Sequence, residues 1–450
     1  MPIETEVPLL EDEIDVAPTK SLFVDMLTRD IGLDRAVLDL IDNSIDGARK
    51  LRPGPNADLE GLEIVVSLDG TSFEIRDNCG GIGIDLAHKY AFRIGRPRDM
   101  PSTPSSVGQF GVGMKRALFK FAKKFEVHST STTDRFSLVV DVDEWQETNS
   151  WRFKFQTMER DLRIPLGETG TTVKVNELRP EVGARFALEN FQNTLRDAIQ
   201  STQQQYIDRK LRIVFQGRTL IATPWKLLRG QGLEPASKEE VISIEAKANV
   251  FVRLFAGVGE SKPRQAGWSV VCNGRMVLDA DQTSVTGWSE LADSSGVVIP
   301  KYHNQFSRFR GYVFFDSEDT SLLPWNTTKT GVDLDSPIYQ KIRLSMIEAM
   351  RPVIDFLNEL DREKDGEAEN QPLTTAIARA EAIGLREISR KGPFSRPTPP
   401  ANPGPPTISI QFRRPRDQVE RLQVELAARS ARDVGEKSFD LAYERYVGGE

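Results

Sequence analysis

LDLIDNSIDGA, residues 38–48, carries two patterns at once. Wound at 3.6 residues per turn, it places Val37, Leu40, Ile41 and Ala48 on one side. Asp39, Asn43 and Asp46, spaced i, i+4, i+7, share the opposite face. A solvated face on an amphipathic helix would account for that spacing. The face also offers a carboxylate one turn from an amide. Such a pair can activate a water beside an Asn-held Mg²⁺, a hard cation that takes oxygen ligands.

Working outward, LEIVVSL (62–68), Asp69-Gly70 and FEIR (73–76) predict two strands joined by a tight turn. The second runs into IRDNCGGIGID (75–85), where Asp77 ends the strand and Gly80, Gly81 and Gly83 follow. Glycines there permit turns that other residues resist and let a flat base approach, while a strand-end carboxylate can accept a hydrogen bond from an exocyclic amine. An ordinary Asp-Gly turn has the same composition. Further on, VGQFGVGMKRA (107–117) sets Gly108, Gly111 and Gly113 directly before a predicted helix, so backbone N–H groups and a positive helix end face a potential anion. It lacks the Lys-Ser ending of a Walker A loop and is not the G-x-G-x-x-G dinucleotide fingerprint.

In this order the three segments resemble the N, G1 and G2 boxes of the GHKL superfamily, which includes DNA gyrase B subunits, the heat-shock chaperone of ninety kilodaltons, MutL, MORC proteins and histidine kinases. A fourth element, ETGTTV (168–173), resembles the strand that closes the adenine pocket. The resemblance spans residues 36–175 and implies an ATP-binding α/β sandwich, the Bergerat fold, within an α+β protein. It implies that Asn43 holds Mg²⁺, that Asp77 reads adenine with Thr171, Gly81 and Ile82 beside it, and that Asp46 belongs to the nucleotide site. Gly108, Gln109, Phe110, Gly111, Val112 and Gly113 would wrap the phosphates. Asp39 stands where the gyrase, MutL and MORC branch has a catalytic glutamate, one methylene longer, so binding is better supported than turnover. Cys79 replaces a usual glycine, and Gly80 is expected to absorb the turn.

Beyond this domain (21–182), a long helix from about 183 to 210 leads into a second unit reaching 362, whose first hairpin is LRIVF, Gln216-Gly217, RTLIA. CNGRMV (272–277) and LLPWNTTKTGVD (322–333) resemble parts of the transducer domain of the gyrase, MutL and MORC group. The second would send Lys329 to the γ-phosphate as a further catalytic group. An exposed lysine is the plain alternative. An acidic arm (1–20) precedes these domains. A polar and Pro-rich linker (363–406) and a strand-plus-helix tail (407–450), a partner-docking arm on this reading, follow them.

At 450 residues the chain exceeds one ordinary core. It shows no run near the roughly 18 apolar residues of a membrane span and no secretory signal. Only Cys79 and Cys272 are present, far apart, which fits a reducing cytoplasm. The net charge of −7 does not advertise nucleic acid, though Arg93, Arg96, Arg98, Lys115, Arg116, Lys120, Lys123 and Lys124 form a basic run around the Gly-rich segment. Histidine kinase is disfavoured, because His88, His128 and His303 are the only histidines and none lies before the ATP-binding domain. The expectation is an ATPase acting as an ATP-gated homodimeric clamp on double-stranded DNA, MORC- or MutL-like, in a prokaryotic defence or restriction setting with a nuclease or methylase partner and no membrane. A chaperone-like ATPase acting on protein clients is the alternative.

Overall fold

The computed structural model describes residues 19–29, 31–54, 56–93, 95, 106–108, 111–244, 247–289, 299–363, 371–388, 391–397, 410 and 412–448, without the side chains of Phe23 and Leu27. Most of the acidic arm, residues 96–105, Gln109, Phe110, residues 364–370 and 398–409 of the linker and tail, and residue 411 lie outside the described residues.

Helices α1 (Lys20–Arg29) and α2 (Leu33–Leu51) precede the hairpin β1 (Glu63–Leu68) and β2 (Phe73–Asp77). A short α3 (Ile84–Leu86) follows, and α4 (Gly113–Phe121) runs straight into β3 (Ala122–Thr130). Next come β4 (Arg135–Asp141), α5 (Val142–Glu147), β5 (Phe155–Glu159) and β6 (Gly170–Leu178). Helices α6 (Pro180–Phe186), α7 (Glu189–Thr202) and α8 (Gln204–Asp208) lead to β7 (Arg212–Phe215) and β8 (Arg218–Thr219). The chain continues through β9 (Lys226–Arg229), β10 (Ala236–Ile242), β11 (Val250–Val258), β12 (Gly267–Cys272), β13 (Arg275–Asp281) and β14 (Phe309–Ser317). The long α9 (Pro337–Glu363), then α10 (Pro372–Arg379), β15 (Glu381–Gly384), α11 (Arg416–Glu425) and α12 (Ala431–Tyr446) complete the order.

Two main sheets result, with strand orders β5-β4-β3-β6-β2-β1-β7-β8 and β10-β11-β14-β12-β13. Along β1, Ile64, Val66 and Leu68 are buried in alternation, the signature of a strand with one covered face. Helices and mixed sheets make the protein α+β. No helix of the described residues is long and apolar enough to cross a membrane.

Three features depart from the sequence expectation. The 212–219 hairpin does not open the second unit: β7 pairs in parallel with β1 and extends the first sheet. Parallel pairing needs a long crossover, and α6 to α8 carry the chain from β6 past β2 and β1. The single helix expected over 183–210 is three helices, interrupted at the extended Leu188 and at Gln203. The tail carries two helices, the second started by Ser430, whose hydroxyl accepts the N–H of Asp433. Both main sheets share one continuous hydrophobic core, and Met1–Pro397 forms a single compact unit, with Thr398–Glu450 as another.

Candidate functional site

Helix α2 is the axis of the site. Asp34 in its first turn and Arg49 and Lys50 in its last complement the helix dipole. The helix is buried on more than one side: Val37, Leu40, Ile41 and Ala48 are covered, and so are Asp39, Asp42 and Ser44. Of the three residues on the polar face, Asn43 alone is exposed. Gly47 lets the Asp77–Gly81 loop cross α2, because a Cβ there would stand 2.6 Å from the Cys79 carbonyl oxygen.

Asp77 sits at the end of β2 in a nearly complete set of partners. Its Oδ2 accepts the Ser44 hydroxyl at 2.6 Å, and its Oδ1 accepts the N–H of Cys79 at 2.9 Å and of Thr171 at 3.2 Å. Burial nevertheless pushes its carboxyl above the usual range. A carboxylate has about four acceptor positions, so three occupied ones leave room for one more donor. The Thr171 hydroxyl lies 2.9 Å from that of Ser129, which accepts the Ile82 N–H at 2.8 Å. Ile82 and Thr171 are thereby tied to the same corner. Gly80 takes φ +97° and Gly81 φ +67°, and a Cβ on Gly81 would stand 2.0 Å from the Thr130 carbonyl oxygen. The turn that Cys79 cannot make is made by the two glycines after it.

Asp46 faces the Gly-rich segment. Its two oxygens accept the N–H groups of Val107 at 2.6 Å and Gly108 at 2.8 Å. Consecutive amides aimed at one anion are how a phosphate is cradled, and here a carboxylate takes them. Gly111 follows at φ +64°, Val112 precedes the helix, and Gly113 begins α4 against Asp39, whose Oδ2 would be 3.2 Å from a Cβ at that glycine.

The other side of α2 meets the second sheet. Lys329 projects from the loop after β14 to within 2.8 Å of Asp42 and 3.8 Å of Asp39, and it is buried rather than exposed. Its backbone is left-handed, at φ +52°, in a turn fixed by the Asn326 side chain, which accepts the Thr330 N–H. Side chains other than glycine rarely adopt that conformation without surrounding structure that requires it. Asp42 also pairs with the wholly buried Arg275 and accepts Gln203 Nε2 at 3.0 Å. Arg275 follows a hairpin turn, Asn273-Gly274, in which both residues have positive φ. Asn273 is locked to both N–H and C=O of Ser317, and its own carbonyl accepts Arg49 Nη1 of α2 at 2.7 Å.

Asp39, Asn43, Asp46, Gly108 and Gly113 therefore gather along one flank of α2, Asp77, Gly81, Ile82 and Thr171 at its far end, and Lys329 enters from the second sheet. The sequence does not single out Ser44, Ser129 or Gln203, and it shows Arg116 only as part of a basic run and Arg275 only within the CNGRMV motif. Ser44 was detectable as a hydroxyl on the apolar side of α2. Gln203 had no signal, because only the break between α7 and α8 aims it. Asp39 is not presented to an open cavity: Arg116 Nη2 of α4 holds it at 2.6 Å. Among the described residues of the basic run around the Gly-rich segment, three cations are turned to partners within the fold. Lys115 is buried on the Ala91 carbonyl, with burial lowering its pKa to about 8, Arg116 is on Asp39, and Lys120 reaches the Thr28 carbonyl at 2.6 Å.

Residues 31–165 match the family model described as histidine kinase-, DNA gyrase B-, and HSP90-like ATPase. The chain thus carries a GHKL-type ATPase domain, a class that binds ATP, and the matched span contains Asp39, Asn43, Asp46, Asp77 and the Gly-rich segment. No curated protein sequence matches the chain.

Proposed function

We propose that this protein is a Mg-ATP-dependent ATPase that works as an ATP-gated dimeric clamp, and that the material it holds is double-stranded DNA. The observation that supports this reading best is Lys329, delivered from outside the matched domain to the two aspartates of α2. A cation arriving from another sheet can answer the presence of a terminal phosphate and transmit it to the rest of the chain.

On this reading the fourth acceptor position of Asp77 takes the exocyclic amine of adenine, and the amides now on Asp46 turn to phosphate. Asn43 fits a cation site: its amide is exposed, meets no hydrogen-bond partner among the described residues, and lies beside Gly108. A Mg²⁺ ion held there would neutralise phosphate charge, with phosphates and water completing its shell. Asp39 accepts the proton of the attacking water once it parts from Arg116, and Lys329 stabilises charge on the transferring group.

Nucleotide binding is read by thermal stabilisation, worth about 2.7 kcal/mol at a hundredfold excess over Kd. Asn43→Ala is expected to abolish the Mg²⁺-dependent part of that shift, and an unchanged shift removes Asn43 from the site. Sedimentation with a non-hydrolysable analogue is expected to show a nucleotide-dependent dimer. Long double-stranded DNA is expected to raise the ATPase rate at low salt and less so at high salt, because phosphate contacts are screened. Stimulation by unfolded protein and not by DNA would make the chain a chaperone-like ATPase instead.

A further inference from the structure

Arg275 is an odd residue to find where it is. Its side chain is fully buried, and apart from its ion pair with Asp42 its Nε, Nη1 and Nη2 have no hydrogen-bond partner among the described residues. A buried guanidinium with donors unsatisfied is a poor device for stability, since an apolar side chain of similar volume serves as well or better. Its burial also lowers its pKa to about 10. Something other than stability fits the placement.

The charges around it show what. Two carboxylates of α2, Asp39 and Asp42, are in direct ion-pair contact with three cations: Arg116 from α4, Arg275 from β13, and Lys329 from the loop after β14. Counted over these direct pairs the cations outnumber the acids by one, and the Asp46 carboxyl on the same helix also acts on Lys329. Arg116 is committed to Asp39, whereas Arg275 and Lys329 share one oxygen of Asp42, the ammonium hydrogen-bonded to it at 2.8 Å and 3.8 Å from Asp39. Remove Arg275, and Asp42 becomes a full, desolvated counter-charge 2.8 Å from the Lys329 ammonium. Such a pair is hard to part, because the medium around it screens little.

We propose that Arg275 is a positioning residue that neutralises Asp42 and so keeps Lys329 loosely parked between the two aspartates, available to an incoming anion. Gln203 serves the same end by holding the other oxygen of Asp42, and the Asn273-Gly274 turn, pinned by Ser317, Arg49 and Tyr206, fixes where Arg275 stands. The recruitment of Lys329 to phosphate rests on the function proposed above. The parking itself does not.

Two measurements on the full chain separate these. In urea denaturation, Lys329→Met is expected to lower the midpoint more in an Arg275→Met background than in wild type, because the lysine pairs more tightly once the arginine is gone. Equal shifts in the two backgrounds overturn the inference, whatever nucleotide does. In ATPase assays, Arg275→Met is expected to lose 10- to 100-fold in kcat with KM within about threefold, and Arg275→Lys, which keeps the charge, to stay within about threefold of wild type in kcat. If Arg275→Met does not fold, the Asp42→Asn/Arg275→Met pair, which removes one charge of each sign, is the variant to assay. It is expected to fold and to turn over within about tenfold of wild type. A folded double variant as slow as Lys329→Ala overturns the inference. A wild type with no nucleotide response sinks the proposed function and leaves the parking to the denaturation result.

Discussion

Asp39→Asn is expected to lower ATP hydrolysis by about 10²- to 10⁴-fold, the usual contribution of a general base, with nucleotide affinity within a few-fold of wild type. The substitution keeps the shape of the side chain and removes its basicity. Affinity survives because Asp39 touches Arg116, Lys329 and the start of α4, whereas Asp77 is held by Ser44, Cys79 and Thr171. The shorter acid also has a steric reason. Arg116 Nη2 is 2.6 Å from it, and Gly113 packs so close that a Cβ there would meet it at 3.2 Å. Restoring the glutamate of the related branch moves the carboxylate one methylene outward and away from its present 2.6 Å contact with Arg116, so Asp39→Glu is expected to be slower than wild type and to improve when Arg116 is shortened as well. Single-turnover rates with nucleotide affinity measured in parallel decide this. A wild-type rate in Asp39→Asn transfers the base to another group.

Much of this site was legible because its chemistry is local in sequence. Asp39, Asn43 and Asp46 lie within eight residues, and helical periodicity alone puts them together. The turns after Asp77 and within the Gly-rich segment are legible for a related reason: positive φ at Gly80, Gly81 and Gly111 is written in the residue type. What stayed hidden is long-range. Gln203 meets Asp42 across 161 residues, and no periodicity encodes such a meeting; Lys329, 287 residues from Asp42, is reached only through the resemblance of its loop. The 212–219 hairpin is legible as a hairpin but reads as the start of the second unit although it extends the first sheet, because a strand's alternation states which face is buried and not beside which neighbour. The basic run misled for a physical reason too. Charge counted along a sequence cannot show that Lys115 and Arg116 point inward, to a carbonyl and a carboxylate.

Lys329→Ala is expected to slow hydrolysis by about 10²- to 10³-fold, the loss typical when one preorganised charge or donor is removed from a transition state, with nucleotide affinity largely kept. Its pH dependence gives a second signature. Burial first, and Arg275 next, lower the Lys329 pKa from its ordinary 10.5 to about 8. The ammonium is therefore present below about pH 8 and lost above it, so kcat/KM, which reports the free enzyme, is expected to fall as pH rises through that value. Bound phosphate favours the charged form, so the limb in kcat is expected at higher pH than the limb in kcat/KM. Stability runs the other way. Between about 8 and 10.5 the unfolded chain still holds the proton that the folded chain has released, and stability rises with pH wherever the unfolded state binds more protons. Lys329→Arg keeps its charge across this range and is expected to lose the alkaline limb. Lys329→Gly completes the set, because glycine adopts the φ of +52° more readily than lysine does and the loop keeps its turn. A Lys329→Gly protein that folds as well as wild type and hydrolyses ATP as slowly as Lys329→Ala assigns the loss to the ammonium. Full activity in that variant would make Lys329 a structural plug between the two sheets.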